Sequence, residues 1–505
     1  MTESVLNHLV AHPPAPGYRI SFARLGGTES LSLSELYELS GRLAGHLSEL
    51  GLRRGDRIGI VASNRLEWVL LDLAAVRLGV VTAGFEPGKF DPEGTLTARY
   101  GLKLLFTERP SAAPDTHPIA AVRDWVSASS GPVDLEPIRY RAEDVTTLKF
   151  TSGSTGAPKG LAATVGSIDG SLRVVQEMFA HGPGDHLFVF LPLSLLQQRY
   201  WIYSALRFGH DVTVSTHDAL FSALRRARPT VVMGVPAFYE VTRRRIEKQA
   251  ARTGIEPGAA ARGVFGPRIR YLWTGSAPAA VSTLRYFTDL GLPIYEGYGL
   301  NETCIVTKNH PGADRLGSVG RVVPGKEVLL DADGLISVRS DQPVNRAYAY
   351  APPGESERVF GAGGIVRTGD LGYFDEDGFL YIRGRADDVI VLDNAKKIIV
   401  RPIEEHLKTS PAIEECVLYC PARTYLVAVV SPADDPPDRA AIDRQLAATN
   451  AAFGRDEQIA KVIVAREPFS VDNGLLTGQF KPKRQAIRAA YRREIEDRDG
   501  VVRAS

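Results

Sequence analysis

The chain has 505 residues, 44% of them hydrophobic, which is room for about three domains of ordinary soluble composition. Its 60 basic and 59 acidic residues leave a net charge of +1, so no global field recruits nucleic acid or an anionic membrane, and small-molecule partners are expected. Three cysteines, Cys304, Cys416 and Cys420, exclude a disulfide framework and fit a reduced compartment.

The opening MTESVLNHLVAHPPAPGYRI has no basic segment followed by an apolar one, so no secretory signal is read and a cytoplasmic protein is expected. Residues 31–51 carry Leu36, Leu39, Leu43 and Leu47 at helical spacing, and GDRIGIVAS follows as a short apolar strand. The next helix, NRLEWVLLDLAAVRLG, leads into VVTAGF; Asp72 and Arg77 argue against a membrane span. After the strand-like VTTLKF comes TSGSTGAPKG (residues 151–160), with three glycines, four hydroxyls and one lysine. Such a run can be a linker, but directly after a strand it suits an anion cradle, in which backbone N–H groups approach a phosphate and Lys159 supplies charge. It is not the Walker A pattern, because Gly160 and Leu161 follow the lysine.

Strands LFVFLP, DVTVST and TVVMGV then alternate with helical patterns, which reads as α/β layering on a mainly parallel sheet. The basic run TRRRIEKQAARTG reads as the solvated face of a helix and its trailing loop. From about Val328 the texture changes to short hairpins around DADG, DEDG and FLYIRGR, a small β-rich subdomain. Beyond Arg385 the order is helix, strands, helix, strand, loop and a basic C-terminal helix, with Cys416 and Cys420 in a buried strand. The expected division is residues 1–385 and a separate α+β unit, 386–505. The sequence contains no HExxH, zinc-spaced cysteine pairs or GxSxG, so metalloenzyme and hydrolase readings lack support.

Four stretches follow the glycine-rich loop in order: WTGSAP (273–278), YEGYGLNET (295–303), RTGDLGYFDEDGFLYIRGRADD (367–388) and LLTGQFKPKR (475–484). Together the five resemble the adenylate-forming superfamily of acyl-CoA synthetases, adenylation domains and luciferases, over nearly the whole chain. NGLLTGQFKPKR and VIVLDNAKK look most like the long-chain acyl-CoA synthetases. The resemblance implies a large N-terminal α/β domain with a mobile lid, and ATP and Mg2+ as cofactors. It places Thr151, Ser152, Gly153, Ser154, Thr155, Gly156 and Lys159 around the β- and γ-phosphates. Gly275, Ser276 and Ala277 would lie along adenine, with Tyr298 and Gly299 beside the base. Asp370 would accept from the ribose hydroxyls and Arg385 would reach the nucleotide. Glu302 would bind magnesium, a hard oxygen ligand for a hard cation, and Asn301 would donate to the α-phosphate. Lys481 matches the mobile catalytic lysine, which stabilises charge that builds in the transition state. Asp387 matches the hinge about which the lid turns.

The departures concern the second step. Asn301 stands where threonine is usual, Leu195 and the stretch GLAATVGS lack histidines common in relatives, and Ala395 replaces a glycine that lines the pantetheine tunnel. Trp273 replaces a small residue and suits a small or flat acid. One expectation is therefore an acid–CoA ligase. A second hands the adenylate to an amine, as the ATP-dependent diazotases of secondary metabolism do with nitrite and an aromatic amine. A third, a non-catalytic nucleotide-binding protein, is disfavoured by the presence of Lys159, Glu302 and Lys481.

Overall fold

The computed structural model describes residues 3–88, 90, 96–113, 115–128, 136–151, 159–394, 396–421, 425–477 and 481–497. Among these, a nine-stranded sheet runs in spatial order through Arg321–Val322, Cys304–Lys308, Ile294–Leu300, Tyr271–Thr274, Val231–Gly234, His186–Val189, Asp211–Ser215, Arg19–Arg24 and Gly27–Ser32. Its six inner strands, Ile294–Leu300 to Arg19–Arg24, are mutually parallel, and antiparallel strands close both edges. A six-stranded sheet holds Thr116–Pro118, Leu104–Thr107, Arg57–Val61, Val81–Phe85, Val145–Thr151 and Lys159–Thr164, all parallel except the last pair.

One apolar cluster joins side chains of both sheets with the helices Leu33–Glu49, Leu66–Leu78, Val165–Phe179 and Leu196–Phe208. Leu33–Glu49 starts where Ser32 Oγ accepts from the Glu35 amide at 3.0 Å, and it buries Leu36, Leu43 and Leu47 along one stripe. Leu66–Leu78 is different: every residue but Arg77 is buried, because neighbours cover it on all sides. Each fully buried leucine there contributes ~1.5–3 kcal/mol. Among the described residues, no helix is long and apolar enough to cross a membrane.

Asp72, which breaks the apolar run of that helix, meets Arg199 of Leu196–Phe208 at 2.7 Å in the core. Its other oxygen accepts from Tyr203 Oη at 2.5 Å, and Thr82 and Thr147 hydroxyls accept from the guanidinium.

A four-stranded antiparallel sheet (Lys326–Leu330, Leu335–Ser340, Ile365–Phe374, Leu380–Arg385) contains the hairpins read at DADG and DEDG. The C-terminal unit has a three-stranded sheet (Ile413–Tyr419, Leu426–Pro432, Ile459–Val464) with its own cores. The fold is thus mixed α/β, with a large N-terminal domain and a smaller C-terminal one. Cys416 is buried in the first of those strands, Cys420 lies just past its end, and all three cysteines are free. The basic C-terminal helix expected from sequence is two short helices, Arg484–Ala490 and Arg492–Glu496. The break is at Tyr491, whose ring is buried in the core while its hydroxyl accepts from the Arg466 amide at 3.2 Å.

Candidate functional site

A cavity of about 950 Å³ lies between the two domains. Its N-terminal wall begins at the turn after strand Tyr271–Thr274, where Gly275, Ser276 and Ala277 all line it; Ser276 adopts φ +69°, a left-handed conformation unusual for serine. The adjacent strand Ile294–Leu300 brings Tyr298 and Gly299 to the cavity, and the turn beyond adds Asn301 and Glu302. Gly299 is required by packing: a Cβ there would stand 2.0 Å from the carbonyl oxygen of Cys304.

Asp370 and Arg385 face each other across the hairpin of the four-stranded sheet. Arg385 Nη1 donates to Asp370 Oδ1 at 3.0 Å and to the Thr368 carbonyl at 2.8 Å, while Tyr298 Oη donates to Asp370 Oδ2 at 2.6 Å. Gly369, at φ +72°, lets this arrangement form, since a Cβ would meet Arg385 Nη2 at 2.9 Å. Burial and the neighbouring carboxylate together raise the Tyr298 phenol above its ordinary range, which keeps it a donor.

From the C-terminal domain, Lys481 enters the same cavity. Its local turn is fixed by two hydrogen bonds, Thr477 N to Lys481 O at 2.8 Å and Lys481 N to Thr477 Oγ1 at 3.1 Å. Removal from water lowers the Lys481 ammonium from its ordinary value; Asp370 works against this and Arg385 with it. A residue 111 positions from Asp370 in sequence thus shares its cavity.

At the other end of the cavity, Glu302 Oε1 accepts from Tyr348 Oη at 2.7 Å. Lys159 begins the strand Lys159–Thr164, pairs across to Thr151, and is ion-paired with Glu355, its ammonium 5.2 Å from the centre of the Tyr348 ring. Neither Tyr348 nor Glu355 belongs to a motif read in the sequence. Ser152, Gly153, Ser154, Thr155 and Gly156 lie outside the described residues, as does Ala395. Asp387 is exposed in the turn Ala386–Asp388 that follows Arg385.

An aromatic wall closes the third direction. Trp273 packs 4.9 Å from Phe179 and edge-on 5.2 Å from Trp201, and the Lys308 ammonium sits 3.3 Å from its ring centre. Lys308 is itself fixed by donation to the Tyr295 carbonyl at 2.7 Å, and burial pulls its amine well below the ordinary range. Leu195, Gln198, Tyr200 and Met233 line this end, with Cys304 Sγ 3.6 Å from Tyr200 Oη. Below it, burial pushes the Glu296 carboxyl up to about 7.

The description "AMP-binding enzyme" fits residues 13–343, and "AMP-binding enzyme C-terminal domain" fits residues 387–498. The chain is 28% identical to the long-chain-fatty-acid–CoA ligase FadD15 of Mycobacterium bovis, over 89% of each chain. It is 26% identical to 2-succinylbenzoate–CoA ligase of Bacillus licheniformis, over 78% of this chain and 82% of that one. Its fold matches the crystal structure of the anthranilate CoA ligase AuaEII in complex with anthranoyl-AMP, with a TM-score of 0.80 at 19% identity and 97% coverage of both. The chain belongs to the AMP-binding enzyme family of AMP-forming, adenylate-forming acid ligases.

Proposed function

We propose that this member of the AMP-binding family activates a compact, flat carboxylic acid as its acyl-adenylate and passes the acyl group to coenzyme A. The observation that carries the first half is the convergence of Lys481 from one domain with Asp370, Arg385, Tyr298 and Glu302 from the other on one cavity. An oxygen of the acid attacks the α-phosphorus of ATP and pyrophosphate leaves; the sulfur of coenzyme A then attacks the acyl carbon and AMP leaves. Asp370 binds the ribose hydroxyls, Tyr298 and the turn 275–277 hold the base, and Lys159 meets the terminal phosphates. Lys481 stabilises the charge that builds between attacking oxygen and phosphorus. The Glu302 carboxylate, with substrate phosphates, is the oxygen donor set that Mg2+ takes, and the ion would neutralise phosphate charge there. Asp387 is the proposed hinge that lets the lid withdraw Lys481 before the thiol enters.

The acid class follows from the wall. Trp273 is packed against Phe179, Trp201 and Lys308, which favours a compact acid over a long acyl chain. Thioester formation is supported by the named relatives, which are acid–CoA ligases. The nitrite-and-amine alternative draws no support from them and stands as an outcome of the test.

That test is AMP and pyrophosphate release from ATP across short, aromatic and long-chain acids, with and without coenzyme A, beside wells of nitrite plus aromatic amines. The proposal expects coenzyme A-dependent turnover with an aromatic or short acid. Turnover that ignores coenzyme A and needs nitrite would move the chemistry to the alternative acceptor, and a preference for long chains would overturn the acid assignment.

A further inference from the structure

The segment from Gln342 to Phe360 carries no motif, yet it is laid along the strand that begins with Lys159. Gly160 and Ala349 exchange two backbone hydrogen bonds of 2.8 Å, the Thr164 amide donates to the Val344 carbonyl at 3.3 Å, and its hydroxyl donates to the Pro343 carbonyl at 3.1 Å. This strap carries two side chains that meet residues read as phosphate and metal ligands. Tyr348 Oη holds Glu302, and Glu355 takes the ammonium of Lys159. The Tyr348 amide donates to Ser356 Oγ at 2.9 Å, which ties the two together. The Lys159 and Glu355 side chains are 11% and 17% exposed, so the pair is partly shielded from bulk water.

We propose that Glu355 is a positioning residue of the nucleotide site: its carboxylate stands in for phosphate on Lys159 while nucleotide is absent, gives the ammonium up to the terminal phosphates of ATP, and retakes it as pyrophosphate leaves. The inference rests on the reading of Lys159 as the phosphate lysine. The physical reason is charge. A shielded ammonium needs an anion, which Glu355 supplies, and Lys159 in turn holds the Glu355 carboxyl below its usual range. A carboxylate left in place beside an incoming polyphosphate would repel it, so the two anions compete for one cation. Competition weakens phosphate binding and speeds pyrophosphate release, whereas a second metal-binding carboxylate at the same place would strengthen binding.

The test is calorimetric titration of the full-length protein with magnesium pyrophosphate and with magnesium α,β-methylene-ATP. Glu355→Gln should bind both about threefold more tightly than the parent, the scale of a partly exposed ion pair, and pyrophosphate should inhibit it at correspondingly lower concentration. Glu355→Asp, which keeps the charge, should behave as the parent and guards against a folding defect. In a Lys159→Ala background the gain from Glu355→Gln should shrink, because the competition for the ammonium is gone and only the repulsion between carboxylate and phosphate remains. Unchanged or weaker binding in Glu355→Gln overturns the proposal, as does a gain that is undiminished without Lys159. A parent protein that binds neither probe removes the phosphate site and the proposal with it. Acid-dependent AMP formation, measured in parallel, separates the adenylation reading: probe binding without AMP formation sinks that reading and leaves the Glu355 comparison to stand on its own.

Discussion

Glu296 shows how a single buried group ties this site to stability. Its carboxyl sits beneath the cavity, accepts from the Ala279 amide at 2.9 Å, and is raised by burial from 4.5 to about 7. Below pH 4.5 it is protonated in folded and unfolded chains alike. Between there and about 7 only the folded chain keeps the proton, so stability falls as pH rises, by up to about 3 kcal/mol. Glu296→Gln should therefore gain stability over the parent in urea unfolding at pH 8 and gain little at pH 5; parallel curves at the two pH values would refute the shift. Trp273 is the residue whose removal should change selectivity. Trp273→Ala opens the wall, and the kcat/KM ratio of long over short acids should rise about tenfold or more; an unchanged ratio would place the specificity elsewhere. Tyr298, Asp370, Arg385, Glu302 and Lys481 were legible in the sequence because each stands in a short motif. Tyr348 and Glu355 were not, since their partners lie 46 and 196 residues away and nothing local to 342–360 signals those pairings.

At the scale of elements, the helix Leu66–Leu78 and the helix Leu196–Phe208 are joined by Asp72 and Arg199, 127 residues apart. The alternation of helices and apolar strands could be read along the chain because burial imposes its periods on neighbouring residues. Asp72 could be recognised only as an interruption of a hydrophobic run, because its charge partner is set by tertiary packing. Asp72→Ala would leave the Arg199 guanidinium buried without a counter-charge and should cost about 3–5 kcal/mol in urea unfolding. Asp72→Leu combined with Arg199→Met should recover most of that loss. A small effect of Asp72→Ala would mean that Thr82, Thr147 and water suffice to hold the arginine. The single basic helix expected at the C-terminus failed for a related reason: Tyr491 is drawn into the core, and a local periodicity does not report that pull.

At the scale of the whole molecule, the two domains meet with Lys481 inside the cavity and Arg244 of helix Pro236–Thr253 paired to Glu414 of the C-terminal domain at 3.1 Å. The proposed adenylation step uses this arrangement, in which Lys481, Asp370 and Arg385 line one cavity. The order of motifs revealed a large N-terminal and a smaller C-terminal domain, but contacts between them such as Arg244 with Glu414 stand in no motif. The most direct measurement is acid-dependent ATP–pyrophosphate exchange in the parent and in Lys481→Ala, with ATP binding followed alongside. The account predicts exchange in the parent, its loss by at least about a hundredfold in the variant, and ATP binding largely intact. Exchange that survives the loss of Lys481 would contradict it.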